Sequence, residues 1–567
     1  MKKTLSLLLV LVMLAGTLAG CGGIAKDSKD KGAQINVYIG NEIRDYDPAY
    51  AMIDDTSAKI FGLIYAGLVS LDDDGKVVYD LMKEYEVEYD ERLEQNKMYI
   101  TLKDTMWSDG RSLTADDVIF AWKRILDPEF DAPSASLLYD IKNARDVKNG
   151  DCSVDDLGIA AVDNNMIEVL FENPASVDFD MFIERLASPA LVPLREDIVT
   201  RYDNWASSSS TMVASGPFVV KNLEFNKGVT LERNTYYFRD RERDNLDKYV
   251  KPYQLNISFK LDNDEMLQAF NDKTLFYLGD IPVENRAEYK KKVKTADVAS
   301  VHTYLINNEN KLLSKPEVRQ ALSMALDREA IADLVVFAEP ATGFVPDMIS
   351  DKKANDSFRK NGGKVISPKG DIEGAKALLA QAKVKSGSFT ISYLDGTTEK
   401  AIAEYAAEVW EELGFKVKTE KLGNTKKFSN TYRDGDFDIL AIDYQMLSKD
   451  AFNVFASYAT SFSGMGIDME SGDYDAKPHI SGYSDADYDA LIESAYSAAT
   501  RKEASTYLHQ AEEKLVADMP VIPVVFNKDY YLINKKVLSG QSVDFFGGKI
   551  FEDLKMKNYK KYLPVEE

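Results

Sequence analysis

The segment from about residue 375 to residue 444 alternates between helical and strand-like patterns, and this alternation is the feature that most constrains the fold. Apolar residues recur at helical spacing in two stretches, and three shorter stretches are typical of strands: helix 375–382, strand 389–394, helix 400–413, strand 416–422 and strand 437–444. Strands that are separated by helices run parallel in one sheet, because a parallel connection needs a crossover. We therefore predict an α/β lobe with a largely parallel sheet.

The composition is that of a large globular protein with an acidic surface. The chain has 567 residues, of which 45% are apolar, and this length is enough for about two to four domains. The formal net charge of −24 opposes binding to nucleic acid and broad electrostatic docking on anionic membranes. The 31 tyrosines and 26 phenylalanines are the kind of side chains that line ligand clefts.

The N-terminus has the pattern of an export signal. Lys2 and Lys3 precede an apolar stretch at 5–14 that is too short to be a good membrane span, and residues 18–21 read Leu-Ala-Gly-Cys. This pattern resembles a bacterial lipobox, in which the cysteine is lipidated and becomes the new N-terminus. The alternative is an ordinary secretory signal that contains a cysteine. If Cys21 carries lipid, Cys152 has no cysteine left to pair with.

A second local pattern lies between residues 107 and 128. Residues 107–110 read Trp-Ser-Asp-Gly, and the run Leu113 to Pro128 reads LTADDVIFAWKRILDP. Thr114 is typical of a helix N-cap, two aspartates follow in the first turn, and Pro128 ends the helix. Taken alone, these residues predict a capped amphipathic helix with no declared function.

As an ordered set of phrases, this pattern and four others resemble the oligopeptide-binding family of extracellular solute-binding proteins. The other phrases are an Asp-Pro turn at 47–48 before a helix that closes on Gly-Leu-Val at 67–69, Leu-Glu-Arg-Asn at 231–234, Val-Arg-Gln-Ala-Leu at 318–322 and Thr-Gly-Phe-Val-Pro at 342–346. The resemblance extends from about residue 35 to about residue 540.

The resemblance implies an α/β fold of two lobes, joined by strands that cross a hinge, with an additional α+β domain inserted in the first lobe. Closure of the lobes would trap a ligand between them. The implied division is a signal peptide at 1–20, a flexible tether at 21–34, lobe I at 35–69, 213–297 and 528–567, an auxiliary domain at 70–212, and lobe II at 298–527.

The resemblance also implies a function without covalent chemistry. The protein is expected to capture oligopeptides, or a similar extended solute, and to deliver them to the permease subunits of an ABC transporter. We expect a monomer that is attached to the extracytoplasmic face of the cell membrane through lipid on Cys21, with no cofactor, no metal and no nucleic-acid partner. Three alternatives remain open: an oligosaccharide-binding member of the same fold, a secreted hydrolase, and a signalling sensor.

The ligand residues of the family transfer incompletely. In peptide-binding members, an aspartate in the turn after the strand at 437–444 holds the peptide's α-ammonium, and Leu447 stands at that position here. Thr425 occupies the place of a tryptophan that is often found upstream. Asp443 and Tyr444 lie within four residues and could substitute, although Asp443 could also be an ordinary strand-end residue. Looser matches to cleft-facing positions are Met52, Asp54, Ser134, Tyr139 and Phe526.

No sequence pattern indicates catalysis or metal binding. His302, His479 and His509 lack the spacing of metal ligands, and we expect structural roles for His302 and His509. The acidic stretch 468–475 lacks the glycine and terminal glutamate of a calcium loop and is interpreted as a solvated loop. Phosphate-binding loops, dinucleotide motifs and nucleophile elbows are not found in the sequence.

Overall fold

The structure is a computed structural model that describes residues 31–43, 46–53, 55–72, 74–92, 94–173, 177–225, 227–239, 241–259, 261–423, 425–467 and 476–563. Cys21, Asp54 and the acidic stretch 468–475 therefore lie outside the described residues. The side chains of residues 51–58 and of residue 425 are also outside the description.

The strands, in chain order, are β1 (Gln34–Tyr38), β2 (Val69–Leu71), β3 (Val77–Tyr79), β4 (Met82–Asp90), β5 (Gln95–Leu102), β6 (Ile159–Asp163), β7 (Met166–Leu170), β8 (Phe218–Glu224), β9 (Gly228–Arg233), β10 (Gln254–Ser258), β11 (Tyr277–Leu278), β12 (Lys294–Ile306), β13 (Ala338–Pro340), β14 (Gly387–Leu394), β15 (Phe415–Leu422), β16 (Ile439–Gln445), β17 (Val521–Ile533), β18 (Leu538–Ser539), β19 (Ser542–Val543), β20 (Lys549–Ile550) and β21 (Lys555–Met556).

The α-helices span Asp55–Ile64, Ala115–Leu126, Ala144–Lys148, Phe179–Arg185, Glu196–Val199, Asn263–Asn271, Val283–Tyr289, Pro316–Ala325, Arg328–Val335, Phe358–Gly362, Ile372–Gln381, Thr397–Glu412, Thr425–Arg433, Ala451–Ala456, Ala486–Tyr496 and Arg501–Asp518. Short 3-10 helices include Pro48–Ile53 and Pro133–Leu138. Every helix in the described part of the chain is too short or too polar to cross a lipid bilayer.

One 11-stranded sheet runs through the molecule in the order β15-β14-β16-β12-β17-β11-β1-β10-β9-β8, with β13 beside β17. Lobe I contains β1 and β8–β11, and lobe II contains β14–β16. The two 13-residue strands β12 and β17 join them. The predicted two-lobed α/β fold is confirmed.

The sheet of lobe II is less parallel than predicted. β14 is parallel to β15 and β16, as the alternation of helices and strands indicates. β12 is antiparallel to both β16 and β17. The physical reason is that β12 and β17 cross between the lobes in opposite directions, so their direction does not follow from a crossover helix.

A separate four-stranded sheet, in the order β4-β5-β7-β6, forms the core of an α+β module beside lobe I. The helix Ala115–Leu126 packs on β6 of this sheet. We call the sheet and this helix, with the segments that connect them, the auxiliary module. The domain boundaries given above stay a prediction.

The helix Ala115–Leu126 begins after Thr114, as predicted. The carboxylate of Asp117 accepts hydrogen bonds from the Thr114 backbone N–H at 2.8 Å and from the Trp107 indole N–H at 3.0 Å. The indole of Trp122 is fully buried and donates to the carbonyl of Leu191 at 3.2 Å. The two tryptophans therefore fix the helix in the module through hydrogen bonds as well as through burial.

The carboxyl end of this helix is held by a buried lysine. The Lys148 ammonium donates to the carbonyls of Ile125 at 3.1 Å and Asp127 at 2.8 Å, and also to that of Phe130. Lys148 is 0% exposed. Burial lowers the pKa of Lys148 to about 7, and its amine supplies donors to the last carbonyls of the helix, which have no partner within the helix.

We predict that Lys148→Met lowers the free energy of unfolding by about 3 kcal/mol, because buried carbonyls lose their donor. Denaturant titration measures this difference. Lys142→Met, an exposed lysine of the same module, is the matched control and should change stability by less than about 0.5 kcal/mol. Equal effects of the two substitutions would contradict this role for Lys148.

Candidate functional site between the lobes

β16 has one partly unpaired edge. β12 pairs with β16 along its whole length, from Ile439 to Gln445, whereas β14 pairs only with Ile439 and Leu440. Within the described residues, no strand pairs with the second edge of 441–445. A strand edge of this kind presents backbone donors and acceptors that another extended chain can satisfy.

The hydrogen-bond register shows which residues face this edge. The N–H of Met446 donates to the carbonyl of Ala299, which lies on the β12 side. Because hydrogen-bonded and non-hydrogen-bonded pairs alternate in an antiparallel ladder, residues 441, 443 and 445 direct their backbone groups away from β12. The backbone N–H and C=O groups of residues 441, 443 and 445 are therefore available for hydrogen bonds at the free edge.

The 3-10 segment Pro48–Ile53 of lobe I lies against β16. Its start is held by Asp47, whose carboxylate accepts from the N–H of Ala49 at 3.1 Å. The same carboxylate pairs in two places with Arg124 of the helix Ala115–Leu126, at 2.6 Å and 3.0 Å. Both side chains of this ion pair are largely buried. The auxiliary module thus positions the lobe I segment that lies against β16.

A stack of cations and aromatic rings crosses between the lobes at the same place. The Arg433 guanidinium of lobe II lies 3.9 Å from the centre of the Tyr50 ring. Tyr50 contacts Phe130, with ring centres 5.6 Å apart, and Arg124 lies 4.1 Å from the Phe130 ring centre. Cation–aromatic contacts of this kind are attractive, so they favour contact between the lobes.

A further contact with lobe II involves Arg185, the last residue of the helix Phe179–Arg185. Its guanidinium pairs with Asp450 at 2.8 Å and with Asp140, and Arg185 is 3% exposed. Asp450 also accepts the N–H of Phe452 at 3.1 Å and so begins the helix Ala451–Ala456. Arg185 therefore fixes the residues that directly follow the turn at Leu447.

Tyr444 lies on one face of β16, which we call the neutral face, and Leu447 follows the end of this strand. Together with Ser134 and Asn453 they line a narrow cavity of about 10 Å³, and its other lining residues are Pro133, Ser136, Leu137 and Val454. Burial raises the pKa of the Tyr444 phenol to about 12, so the phenol is uncharged at neutral pH. The lining of this cavity contains no ionised side chain.

Two buried polar atoms of the cavity lining have no hydrogen-bond partner among the described residues: Ser134 Oγ and Asn453 Oδ1. The Tyr139 hydroxyl, which is also buried but does not line the cavity, has none in this part of the chain either. The Asn453 amide N–H does have one, because it donates to Ser136 at 3.3 Å. Buried polar atoms without partners are unfavourable. A ligand with hydroxyl or amide groups would satisfy them.

Asp443 lies on the opposite face of β16, which we call the polar face. Asp443 Oδ1 lies 2.9 Å from His302 Nδ1 and accepts from the Asn527 amide at 2.8 Å. Burial raises the pKa of Asp443, but the charge of His302 and the hydrogen bonds from His302 and Asn527 outweigh it and hold this pKa below its ordinary value. Asp443 already has partners in two neighbouring strands.

The polar face borders a larger cavity of about 90 Å³ between the lobes. Its charged lining residues are Lys59, Asp280, Arg286, Glu399, Asp443, Lys528 and Asp529. Asp443 and Tyr444, which the sequence placed together as substitutes for one ammonium anchor, therefore border different cavities. The structure does not bring them together around one ligand group.

The remaining predicted site residues are distributed around the cleft. Phe526 is 8% exposed and belongs to the same buried cluster as Tyr444. Met52 lies in the segment Pro48–Ile53, and Thr425 is the first residue of the helix Thr425–Arg433; the side chains of both are outside the description. Asp54 and the lipid-attachment candidate Cys21 are outside it entirely.

Sequence reasoning missed Tyr50, Arg433, Ser136 and Asn453. Tyr50 follows the Asp-Pro turn at 47–48, and Asn453 lies shortly after Leu447. Proximity to these positions was the only signal in the sequence. Their roles depend on which lobe faces which, and that is a tertiary property.

We predict that Asp443→Asn reduces stability at neutral pH and that this reduction disappears in acid. The ionised carboxylate stabilises the fold above its pKa in the unfolded chain, near 4. Since the folded-state pKa is lower, this contribution is lost as pH falls through that lower value. Denaturant titrations of both proteins between pH 6 and about pH 3 test this, with exposed Asp434→Asn as control. A difference that stays constant below about pH 4 would contradict it.

We further predict that Arg124→Met destabilises the protein by about 3 kcal/mol, because it leaves the buried Asp47 carboxylate without its cation. Arg111→Met, which breaks the exposed pair with Asp197, is the control and should cost less than about 1 kcal/mol. Denaturant titration compares the two variants. Similar losses would show that Asp47 does not depend on Arg124.

Among the described residues, no group of three or more His, Cys, Asp or Glu side chains is arranged to hold a metal ion. His509 instead stacks on Phe358 with ring centres 4.0 Å apart, and His509 Nε2 lies 3.3 Å from Asp351. His302 is bound to Asp443. These two histidines take part in packing and hydrogen bonding within the described structure.

Comparison with known proteins gives a consistent result. The family described as bacterial extracellular solute-binding proteins, family 5 Middle, matches residues 76–466, which is more than half of the chain. The dipeptide-binding protein DppE of Bacillus subtilis (strain 168) is 28% identical over 537 residues, which cover 92% of this chain and 92% of DppE. The oligopeptide-binding protein OppA of the same organism is 26% identical over 554 residues, which cover 93% of this chain and 94% of OppA.

Among solved structures, that of Listeria monocytogenes OppA bound to peptide superposes with a TM-score of 0.78 at 22% identity. The match covers 93% of this chain and 100% of that one. A likeness at this identity establishes the fold.

Proposed function

Because the chain belongs to the bacterial extracellular solute-binding proteins of family 5, we propose that its ligand is an oligopeptide, held in the cleft between the lobes and delivered to the permease of an ABC importer. The observation that carries this proposal is the free edge of β16 at 441–445, a strand against which the lobe I segment Pro48–Ile53 also lies. The names of DppE and OppA, which bind dipeptides and oligopeptides, agree with it.

An extended peptide suits this edge for a simple physical reason. When a peptide adds to a sheet as a further strand, its backbone N–H and C=O groups pair with those of the edge strand. These pairs replace the hydrogen bonds to water that the peptide and the edge strand both lose. The backbone is the same in every peptide. A cleft built on backbone pairing therefore accepts many sequences, while the cavities beside it adjust the preference for side chains.

The end of the peptide is expected to be held without an acidic anchor. The resemblance to peptide-binding members implies that Leu447 stands in place of their ammonium-binding aspartate, and the cavity beside it has a neutral lining. An ammonium buried there would lose its hydration without gaining a counter-charge. We therefore propose that backbone pairing along β16 supplies most of the affinity and that the α-ammonium stays outside the neutral cavity.

Attachment to the membrane is the second part of the proposal. Cys21 would carry lipid on the extracytoplasmic face, and the residues between it and β1, which begins at Gln34, would link the lipid to lobe I. The folded body would then remain free to close on ligand and to reach the permease. Mass spectrometry of the N-terminal peptide from membrane-extracted protein tests the lipid on Cys21.

An oligosaccharide ligand is a second candidate, favoured by the pair of rings Tyr50 and Phe130 at the mouth of the cleft. Sugars bind well to exposed ring faces. Against this, the Tyr50 ring is already covered by the Arg433 guanidinium. A peptide backbone can pair with the N–H and C=O groups at the free edge of β16. An oligosaccharide has no regular series of N–H and C=O groups and would leave this edge unpaired.

We predict that protein lacking residues 1–21 gains thermal stability with pentapeptides and not with oligosaccharides of similar length. A ligand at 100 times its Kd adds about 2.7 kcal/mol of stability. Two N-methylated versions of the best peptide, methylated at odd or at even positions, test the backbone pairing. The version that blocks the N–H groups facing β16 should bind at least about tenfold more weakly. Equal affinity of both versions with the parent would contradict strand addition, and stabilisation by oligosaccharides alone would favour the second candidate.

A further inference from the structure

A third cavity lies between the helix Phe179–Arg185 and lobe II, and we call it the arginine cavity. Its lining comes from residues 140–185 on one side and from residues 350–358, 450–452 and 495–508 on the other. β16 contributes no residue to the described lining, so the arginine cavity is separate from the free edge. Its volume of about 90 Å³ gives room for about six to nine water-sized groups, which is the size of one amino acid.

Two arginines with incomplete hydrogen bonding border this cavity. Arg185 is 3% exposed and pairs with Asp140 and Asp450, and the Nε–H of Arg501 donates to the carbonyl of Asp351 at 2.8 Å. Each guanidinium keeps one buried nitrogen that has no partner among the described residues: Arg185 Nε and Arg501 Nη2. Because a buried donor without a partner is unfavourable, a ligand oxygen placed here would be stabilised.

The two guanidinium groups act on the same part of the cavity. Burial raises the pKa of Asp450, but the charges of Arg185 and Arg501, together with hydrogen bonds, outweigh it and hold this pKa below its ordinary value. Arg501 is also the first residue of the 18-residue helix Arg501–Asp518, whose cap Thr500 lines the cavity. Since the start of a long helix favours negative charge, the helix and the unpartnered donors both suit a carboxylate.

The other charges of the lining disfavour a simple anion. The lining contains five acidic and two basic side chains, so a carboxylate alone would add to an excess of negative charge. Asp140 and Glu172 are neighbours in this lining, since the N–H of Glu172 donates to the carbonyl of Asp140 at 2.8 Å. A cation would suit these acids but would leave the arginine N–H groups without an acceptor. A zwitterion meets both requirements and adds no net charge.

The rest of the lining is largely apolar. Met181, Phe452 and Leu508 contribute side chains to it, and Phe452 and Leu508 are buried. An aliphatic side chain placed against them would be removed from water, which is favourable. The arginine cavity therefore combines the three features that an aliphatic amino acid requires.

We propose that the arginine cavity is a second ligand site, which binds one free aliphatic amino acid of about the size of leucine. Its carboxylate accepts from Arg185 and Arg501, its ammonium faces Asp140 and Glu172, and its side chain packs on the apolar residues. This site goes beyond the proposed capture of peptide in the cleft and does not depend on it.

Isothermal titration of protein lacking residues 1–21 with leucine tests the site. Leucine should bind with a Kd below about 1 mM. Leucinamide, which lacks the carboxylate, and isocaproate, which lacks the ammonium, should each bind at least about tenfold more weakly. No binding of leucine would show that the cavity holds water only and would overturn the proposal, as would equal binding of either analogue.

The same titration on protein saturated with the best pentapeptide separates this site from the peptide cleft. Leucine should bind with equal or higher affinity, because the two ligands occupy different places. Competition between leucine and the peptide would overturn a separate site. Binding of leucine to a protein that captures no peptide would support the second site and overturn the proposed function of the cleft.

A variant at the helix start assigns the binding to the arginine cavity. Arg501→Met removes the buried Nη2 donor and should weaken leucine binding at least about tenfold. Lys502→Met, at the exposed next residue of the same helix, is the matched control and should keep the full affinity. Thermal unfolding of both variants checks their folding. Unchanged leucine binding by folded Arg501→Met would contradict this assignment.

Discussion

The ion pair between Arg124 and Asp47 is the interaction on which the cleft depends. Arg124 belongs to the auxiliary module, and Asp47 begins the lobe I segment Pro48–Ile53 that faces β16. Two short hydrogen bonds join these largely buried charges, and they fix the segment more firmly than contacts within the segment alone would. The auxiliary module therefore contributes to ligand capture through position, since it holds one wall of the cleft against the other lobe.

The second constraint is the pair of crossing strands. β12 and β17 carry the sheet from one lobe to the other, and β12 also supplies the paired edge of β16. His302 and Asn527, one on each crossing strand, both contact Asp443. These contacts attach Asp443 of β16 to both crossing strands, and the contact between Arg433 and Tyr50 joins lobe II to lobe I. The shape of the cleft therefore depends on the relative position of the lobes. Hinge motions are absorbed by a few residues in such crossings.

Much of the fold follows from local patterns. The start of the helix after Thr114 matches its predicted position, because a capping residue acts within a few residues of sequence. The first residues of β12, from Lys294, are polar and form a strand because β17 pairs with them across the hinge. The prediction of a largely parallel sheet was wrong for β12 for the same reason: pairing across the hinge determines its direction.

The sequence by itself determined the α/β class and the neutral residue Leu447 after the strand, because these depend on spacing and residue type, and its ordered phrases implied the two-lobed family by resemblance. Only the tertiary structure decided that Asp443 and Tyr444 face different cavities and that Arg124 holds Asp47. The first follows from the alternation of side chains across a strand whose neighbours are distant in sequence. The second depends on a contact between residues 77 positions apart, and no local pattern encodes which of many acidic residues an arginine will meet.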